Sequence, residues 1–270
     1  MSKVPTNFDQ QWVTPPDDLR LPENEVHIWR ASLDVPDAVI QHLRRFLTAE
    51  EAARADRFYF AKDRNHFIIA RGVLRTVLGR YLNRDPRDIR FSYNPYGKPA
   101  LDLSANENRL MFNLSHSHQL ALYAFCYSRQ VGIDVEYMRS GIDYEQLAKH
   151  TFSPYESAMV LALPAEEKGE AFFNCWTRKE AYIKARGKGV SIPLEQFDVS
   201  LRPGDPAALL DSREDPQETT RWTLRALAPG PTYAGALAVE GDGWYSRCWQ
   251  WSAEYANSPS TYDHRRSANS

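Results

Sequence analysis

The segment EVHIWRASLD alternates Val26 and Ile28 with His27 and Trp29, the period-two pattern that puts neighbours on opposite faces of a short strand. The period then changes. In DVPDAVIQHLRRFL the apolar residues recur at helical spacing, and TAEEAARADRF opens with Thr48 at an N-cap position and Glu51 three residues later, the sequence form of a capping box. KDRNHFIIARGVLRTVLGRYL sets Phe67, Ala70, Val73, Leu74, Val77, Leu78 and Leu82 on one stripe. That spacing predicts a helix with a broad buried face, from which Arg71, Arg75 and Arg80 leave on other sides.

DIRFSYNPYGKPAL joins a short strand pattern to a Pro-Tyr-Gly-Lys-Pro turn, and RLMFNLSHSHQLALYAFCYSRQVGIDVEYM reads as three strands separated by a polar turn and a tight turn. DYEQLAKHTFSPYESAMVLAL is two helical pieces broken at Ser153-Pro154, with Ser153 as cap and Pro154 at the first helical position. A longer helix follows, from about 166 to 186, and stops at Gly187, where a left-handed cap is natural. FDVSL, RWTLRALA, YAGALAVEG and YSRCWQWSA are strand-like runs joined by Pro, Gly and Asp. Residues 1–24, polar and rich in Pro and Asp, are expected to form an extended or mobile lead-in, and 256–270, without periodicity, a disordered tail. Strand, helices and strands occur twice around a seam near 125–130, which predicts an α+β protein of two similar subdomains, 25–127 and 128–255, sharing a cleft.

Length and composition set the bounds. A chain of 270 residues, 43% hydrophobic, can bury one large core or two small ones. With 33 basic against 35 acidic residues its net charge is -2, so nothing global argues for nucleic acid or an anionic membrane as partner, and phosphate binding must come from a local cluster. Cys126, Cys175 and Cys248 are widely spaced and lack metal-ligand spacing, which predicts buried free thiols. The N-terminus has no apolar core of signal-peptide length, and no run of 18 apolar residues occurs, so the expectation is a soluble cytoplasmic protein.

Candidate chemistry concentrates in short motifs. On the strand GIDVE, Asp134 and Glu136 project to one face while Ile133 and Val135 point to the core. Two carboxylates that close repel unless a cation or proton lies between them, and hard oxygen ligands of this kind suit Mg²⁺; a solvated edge strand would show the same spacing. In FFNCWTRKEAYIKARGKG, Trp176, Glu180 and Lys184 form one line on a helix. An exposed Glu-to-Lys pair would fit, but Trp176 implies partial burial, where an ion pair needs further satisfaction. A third carboxylate reaching the metal and a lysine reaching phosphates would supply it. Ser115 and His116 in FNLSHSH are expected in a turn, free to donate to an anion; Gly97, Lys98 and Pro99 form the YGKP turn; Arg54, Arg71 and Arg75 offer guanidinium forks. His118 and His150 show no ligand spacing and are taken as structural.

The ordered set YGKP, FNLSHS, GIDVE, FSPYE and WTRKEAYIKARGKG resembles the Sfp-type 4'-phosphopantetheinyl transferases, in the WxxKEA subgroup, over about residues 48 to 200. That resemblance implies a pseudo-twofold pair of α+β subdomains with the active site in the cleft between them, and a monomer. It implies transfer of 4'-phosphopantetheine from coenzyme A to a serine of an apo acyl, peptidyl or aryl carrier protein, as used in fatty acid, polyketide and nonribosomal peptide synthesis. Adenosine 3',5'-bisphosphate leaves. Carried over, Asp134, Glu136 and Glu180 would hold Mg²⁺, or Mn²⁺ in its place; Ser115, His116, Arg71 and Arg54 would meet the 3'-phosphate; Gly97, Lys98 and Pro99 would hold the adenine end; and Lys184 would meet the pyrophosphate.

The chain departs from the pattern where the archetype has a pair of lysines in the early helix and this chain has Glu51 and Arg54, and where His66 replaces an arginine of some relatives. Glu180, Lys184 and His116 are the expected catalytic residues, with Glu180 as base. A binding module without turnover should have lost a carboxylate of the triad. A Mg²⁺-dependent phosphohydrolase would need a positioned water in place of an alcohol acceptor.

Overall fold

The period-two segments assemble into two sheets built to one plan. The computed structural model of the protein describes residues 10–102, 109–187, 189 and 192–257. Its first half runs β1 (Glu25–Ser32), α1 (Asp37–Arg44), α2 (Ala49–Asp56), α3 (Ala61–Leu82), the hairpin β2 (Phe91–Tyr93) and β3 (Pro99–Leu101), then β4 (Leu110–Ser117) and β5 (Leu120–Tyr127). The second half repeats it: β6 (Val131–Tyr137), α4 (Tyr144–Thr151), α5 (Pro154–Ala162), α6 (Ala165–Arg186), the hairpin β7 (Phe197–Val199) and β8 (Leu209–Ser212), a short α7 (Glu218–Arg221), then β9 (Trp222–Leu227) and β10 (Tyr233–Glu240). β11 (Tyr245–Gln250) and α8 (Ala253–Asn257) complete the described chain.

In each half the first strand pairs antiparallel with the last, and the last with the strand before it, giving β1-β5-β4 and β6-β10-β9. Each sheet carries a 22-residue helix, α3 or α6. The halves are not closed units. β11, which the sequence pattern puts in the second subdomain, crosses back and pairs parallel with β1, from Glu25↔Tyr245 to Arg30↔Gln250. The lead-in is also packed over its described part: Val13 bridges Trp249, Trp12 donates its indole N–H to Ala228 O at 3.0 Å, and Leu21 is buried. Residues 1–9 of that lead-in and 258–270 of the expected tail lie outside the described residues.

Three cores follow from the alternation. Trp29, Tyr123 and Phe125 pack under α3, while Phe197, Trp222 and Ala236 pack under α6. Val26, Ile28, Leu122 and Ala124 meet Ile133, Val135, Leu237 and Val239 where the two sheets face each other. A strand buried on both faces gains from both, at about 1.5–3 kcal/mol for each large side chain removed from water. The predicted helix ends hold. Thr48 with Glu51, and Ser153 with Glu156, form complete capping boxes, and Gly187 (φ 67°) closes α6 in the left-handed region. All three cysteines are free and buried. Among the described residues no helix is long and apolar enough to cross a membrane.

Candidate active site

The site forms where β4 of the first half meets β6 of the second. Along this seam side chains replace a backbone ladder. Asn113 Oδ1 accepts the Ile133 N–H at 2.9 Å, and Ser117 Oγ accepts the Tyr137 N–H at 3.1 Å. Residues rise in number together on both strands, so the strands run parallel across the seam. Because 113, 115 and 117 share one face of β4, Ser115 and Ser117 also reach across, donating to Asp134 Oδ1 at 2.8 Å and Glu136 Oε2 at 2.7 Å. The expectation that Ser115 and His116 sit in a turn is corrected here: both lie within β4. The turn comes later, at His118, which takes a left-handed φ of 52°. His116, between the two serines, is exposed.

Gly132 brings the third element in. A Cβ at this position would stand 2.0 Å from Ala181 O and 2.3 Å from Ala185 N, so only glycine lets α6 lie directly on β6. The helix thereby delivers Lys184, whose ammonium donates to Asp134 Oδ1 at 2.6 Å and to Ser115 Oγ at 2.9 Å. Glu180 is one turn earlier on the same helical line.

The electrostatics are those of crowded acceptors. Burial raises the pKa of Asp134 although Lys184 and Ser115 oppose it, and its second oxygen, Oδ2, is buried without a partner. Burial likewise raises Glu136, with Asp134 adding to the rise against Ser117. Glu180 is raised by burial and then by Asp134, with a smaller push from Glu136. Among the described residues, however, no group of three carboxylate, His or Cys side chains closes on one point as a metal centre. Lys184 is the cation on Asp134 in this arrangement.

The remaining expected residues divide. Lys98 is turned inward: its ammonium donates to Val131 O at 3.2 Å and Ala185 O at 3.3 Å, one of the unpaired carbonyls at the end of α6. Desolvation lowers its pKa to about 8. It ties the YGKP turn to the second half. Gly97 (φ 82°) stands in open space, and Pro99 begins β3. Arg71 places Nε 3.1 Å from Glu51 Oε1 and donates through Nη2 to Tyr93 Oη at 2.5 Å. Arg54 lines the same cavity as Arg71, between α2, α3 and β2.

Sequence reasoning missed Asn94, Asn113 and Ser117. Asn94 Oδ1 accepts the N–H groups of Tyr96 and Lys98, and its amide donates to Gly187 O at 2.6 Å, so it shapes the YGKP turn and docks it on the α6 cap. For Asn113 and Ser117 a signal existed, since FNLSHS is polar at every second position.

Comparison with known proteins agrees with this architecture. Residues 29–127 match the 4'-phosphopantetheinyl transferase N-terminal family, and residues 130–238 match the 4'-phosphopantetheinyl transferase superfamily, so the boundary falls at the seam. The chain is 43% identical to the 4'-phosphopantetheinyl transferase HetI of Nostoc sp., covering 89% of this chain and 98% of that protein. It is 36% identical to the 4'-phosphopantetheinyl transferase Sfp of Bacillus subtilis, covering 58% of this chain and 67% of that one. A putative 4'-phosphopantetheinyl transferase of Synechocystis sp. is 32% identical, covering 73% of this chain and 77% of that one. With its two halves matched in order and a relative similar along nearly its whole length, this chain belongs to the 4'-phosphopantetheinyl transferases.

Proposed function

We propose that the β4–β6–α6 seam transfers 4'-phosphopantetheine from coenzyme A to a serine of an apo acyl, peptidyl or aryl carrier protein, in a monomeric, Mg²⁺-dependent, cytoplasmic enzyme. The observation that carries the site assignment is the cluster of Lys184, Ser115 and Asp134 at the junction of the halves, with Asp134 Oδ2 buried and unpartnered beside it. An orphaned carboxylate oxygen with two further raised carboxylates nearby is a donor set suited to a hard cation. Asp134, Glu136 and Glu180 would hold Mg²⁺, with Lys184 moving from Asp134 to phosphate oxygens. Bound there, the ion would neutralise charge on the diphosphate.

The chain's own residues account for the rest. Lys184 supplies a cation to the diphosphate of coenzyme A, and Ser115 orients it. Glu180, on the same helical line, accepts the proton of the carrier serine as its oxygen bonds the β-phosphorus. The bond from that phosphorus to the leaving adenosine 3',5'-bisphosphate breaks. His116 and Arg54 face the nucleotide, and the free, buried thiols suit a reducing compartment.

The test is intact-protein mass spectrometry of an apo carrier protein incubated with enzyme, coenzyme A and Mg²⁺. One phosphopantetheine should be gained, and the gain lost with EDTA or in folded Glu180→Gln. Full transfer by Glu180→Gln would remove Glu180 from the mechanism. Release of phosphopantetheine without carrier would replace the transferase reading with a hydrolase.

A further inference from the structure

We infer that His118 is a positioning residue of the seam: its ring, stacked on Tyr137, fixes the β4–β5 turn so that Ser117 holds the Glu136 carboxylate in place. The inference deepens the transfer reaction proposed above and rests on it for the role of Glu136.

The turn breaks a local rule. Ser117 and Leu120 are the last pair of the β4–β5 ladder, so the hairpin closes through two residues, His118 and Gln119. His118 has a φ of 52°, whereas Gln119 does not take a positive φ. Positive φ at the first central residue alone is the type II′ pattern, and glycine is the residue that fits there without strain. A side chain with a Cβ is uncommon at such an angle and costs backbone energy. Strain of this kind persists where the surroundings over-determine it.

Those surroundings are aromatic. The His118 and Tyr137 rings stack with 4.6 Å between centroids and 26° between planes. Tyr137 meets Tyr233 edge-on at 5.4 Å, and Tyr233 Oη accepts the Gln119 N–H at 3.3 Å. Gln119 O accepts the Leu33 N–H at 2.8 Å. Both central residues of the turn are therefore fastened, His118 to β6, and Gln119 to β10 and to the residue after β1. Ser117 comes immediately before them and is bonded twice to β6: its Oγ accepts the Tyr137 N–H at 3.1 Å and donates to Glu136 Oε2 at 2.7 Å. The stack and the hydroxyl thus grip two consecutive residues of β6, and the strained ring anchors the end of β4 from which Ser117 reaches. A glycine at 118 would relax the backbone and lose that anchor.

The experiment compares His118→Gly, which removes the ring and relieves the backbone, with His118→Asn, which removes the ring but keeps a residue that tolerates the left-handed region. Tyr137→Phe keeps the ring and is the control. Hydrogen exchange at the Tyr137 N–H, followed by NMR on the full-length protein, reads the Ser117 contact without turnover. Both His118 variants should exchange there about tenfold faster than wild type, the size of a lost aromatic pair, at unchanged melting temperature, and Tyr137→Phe should match wild type. In the carrier-modification assay both should need about tenfold more Mg²⁺ for half-maximal rate, as when a group behind a metal ligand is lost, with KM for the carrier protein unchanged. Ser117→Ala should show the same shift, and His118→Gly should add nothing to it. Unchanged protection at Tyr137 would overturn the inference, as would faster exchange with an unaltered Mg²⁺ requirement. Faster exchange throughout β4 and β5 with a lowered melting temperature would overturn it too and make His118 a packing residue. If wild type transfers nothing, the transferase proposal fails, and exchange at Tyr137 still decides whether His118 positions Ser117.

Discussion

Replacing Gly132 by alanine adds one methyl group, and in an ordinary strand that exchange would help, since interior glycine costs about 0.5–1 kcal/mol relative to alanine. Here the new Cβ would lie 2.0 Å from Ala181 O, 2.3 Å from Ala185 N and 2.9 Å from Ala185 Cα, all backbone atoms of α6. A carbon and a carbonyl oxygen approach comfortably only to about 3.3 Å, so strand and helix must separate by roughly 1.3 Å. No side chain can rotate out of the way. Overpacking of this kind typically costs about 1–3 kcal/mol, and backbone-to-backbone contact puts Gly132→Ala near the upper end. The chemical consequence is larger, because the displaced helix carries Glu180 next to Ala181 and Lys184 next to Ala185. A misplacement of about 1 Å costs on the order of a hundredfold in rate. Urea unfolding should therefore show a loss of about 3 kcal/mol, and the carrier-modification assay a kcat/KM lower by about two orders of magnitude. Stability within 0.5 kcal/mol of wild type, together with undiminished kcat/KM, would refute the claim that Gly132 sets the distance between α6 and β6.

Two other perturbations test what holds the site in place. Lys179 and Glu156, both 0% exposed, pair at 2.7 Å, and Glu156 also accepts the N–H groups of Ser153 and Val199. Lys179→Met should cost about 3–5 kcal/mol by stranding a buried charge, and adding Glu156→Gln should recover much of it; a single-variant loss under about 1 kcal/mol would refute the pairing as a structural anchor. His27 is buried on β1 between Tyr81 of α3 and Trp249 of β11, with Glu25 at 3.1 Å and Arg247 also facing it. The Glu25 carboxylate can only accept, so the one proton of the neutral ring sits on Nε2, and Tyr81 donates to Nδ1 while accepting from Trp29. Burial lowers the His27 pKa from 6.5 to about 4. The unfolded chain therefore binds this proton first as pH falls, and stability should drop between pH 6.5 and 4 by up to about 3 kcal/mol. His27→Gln should flatten that slope, and an identical slope in the variant would exclude His27 as its source.

Much of this architecture was legible because local periodicity is read locally. Thr48 with Glu51 marks one helix start through bonds spanning three residues, Ser153-Pro154 marks another, and Trp176, Glu180 and Lys184 share a face by helical geometry alone. Asp134 and Glu136 are likewise legible from alternation, and the structure brings Asp134 to Lys184 across 50 residues. What failed was whatever depends on a distant neighbour. The turn was read too early because His118 enters the left-handed region without the glycine or asparagine that usually announces it. β11 was assigned to the nearer half because nothing in YSRCWQ tells a strand that its partner lies 220 residues back.

The cationic side chains show the same limit at the level of chemistry. Lys98 in a Gly-Pro turn looks exposed, yet two carbonyls of the opposite half draw its ammonium inward, and Arg71 looks available until Glu51, 20 residues earlier, takes it. A guanidinium or ammonium binds whichever acceptor geometry offers first, and burial strengthens that choice by removing water as the competitor. Sequence shows how many cations a region holds; only the fold shows how many remain unspent. In the first half of this enzyme Glu51 takes Arg71 and Arg75, although both line the same cavity as Arg54, so the count of arginines around that cavity overstates the charge it presents.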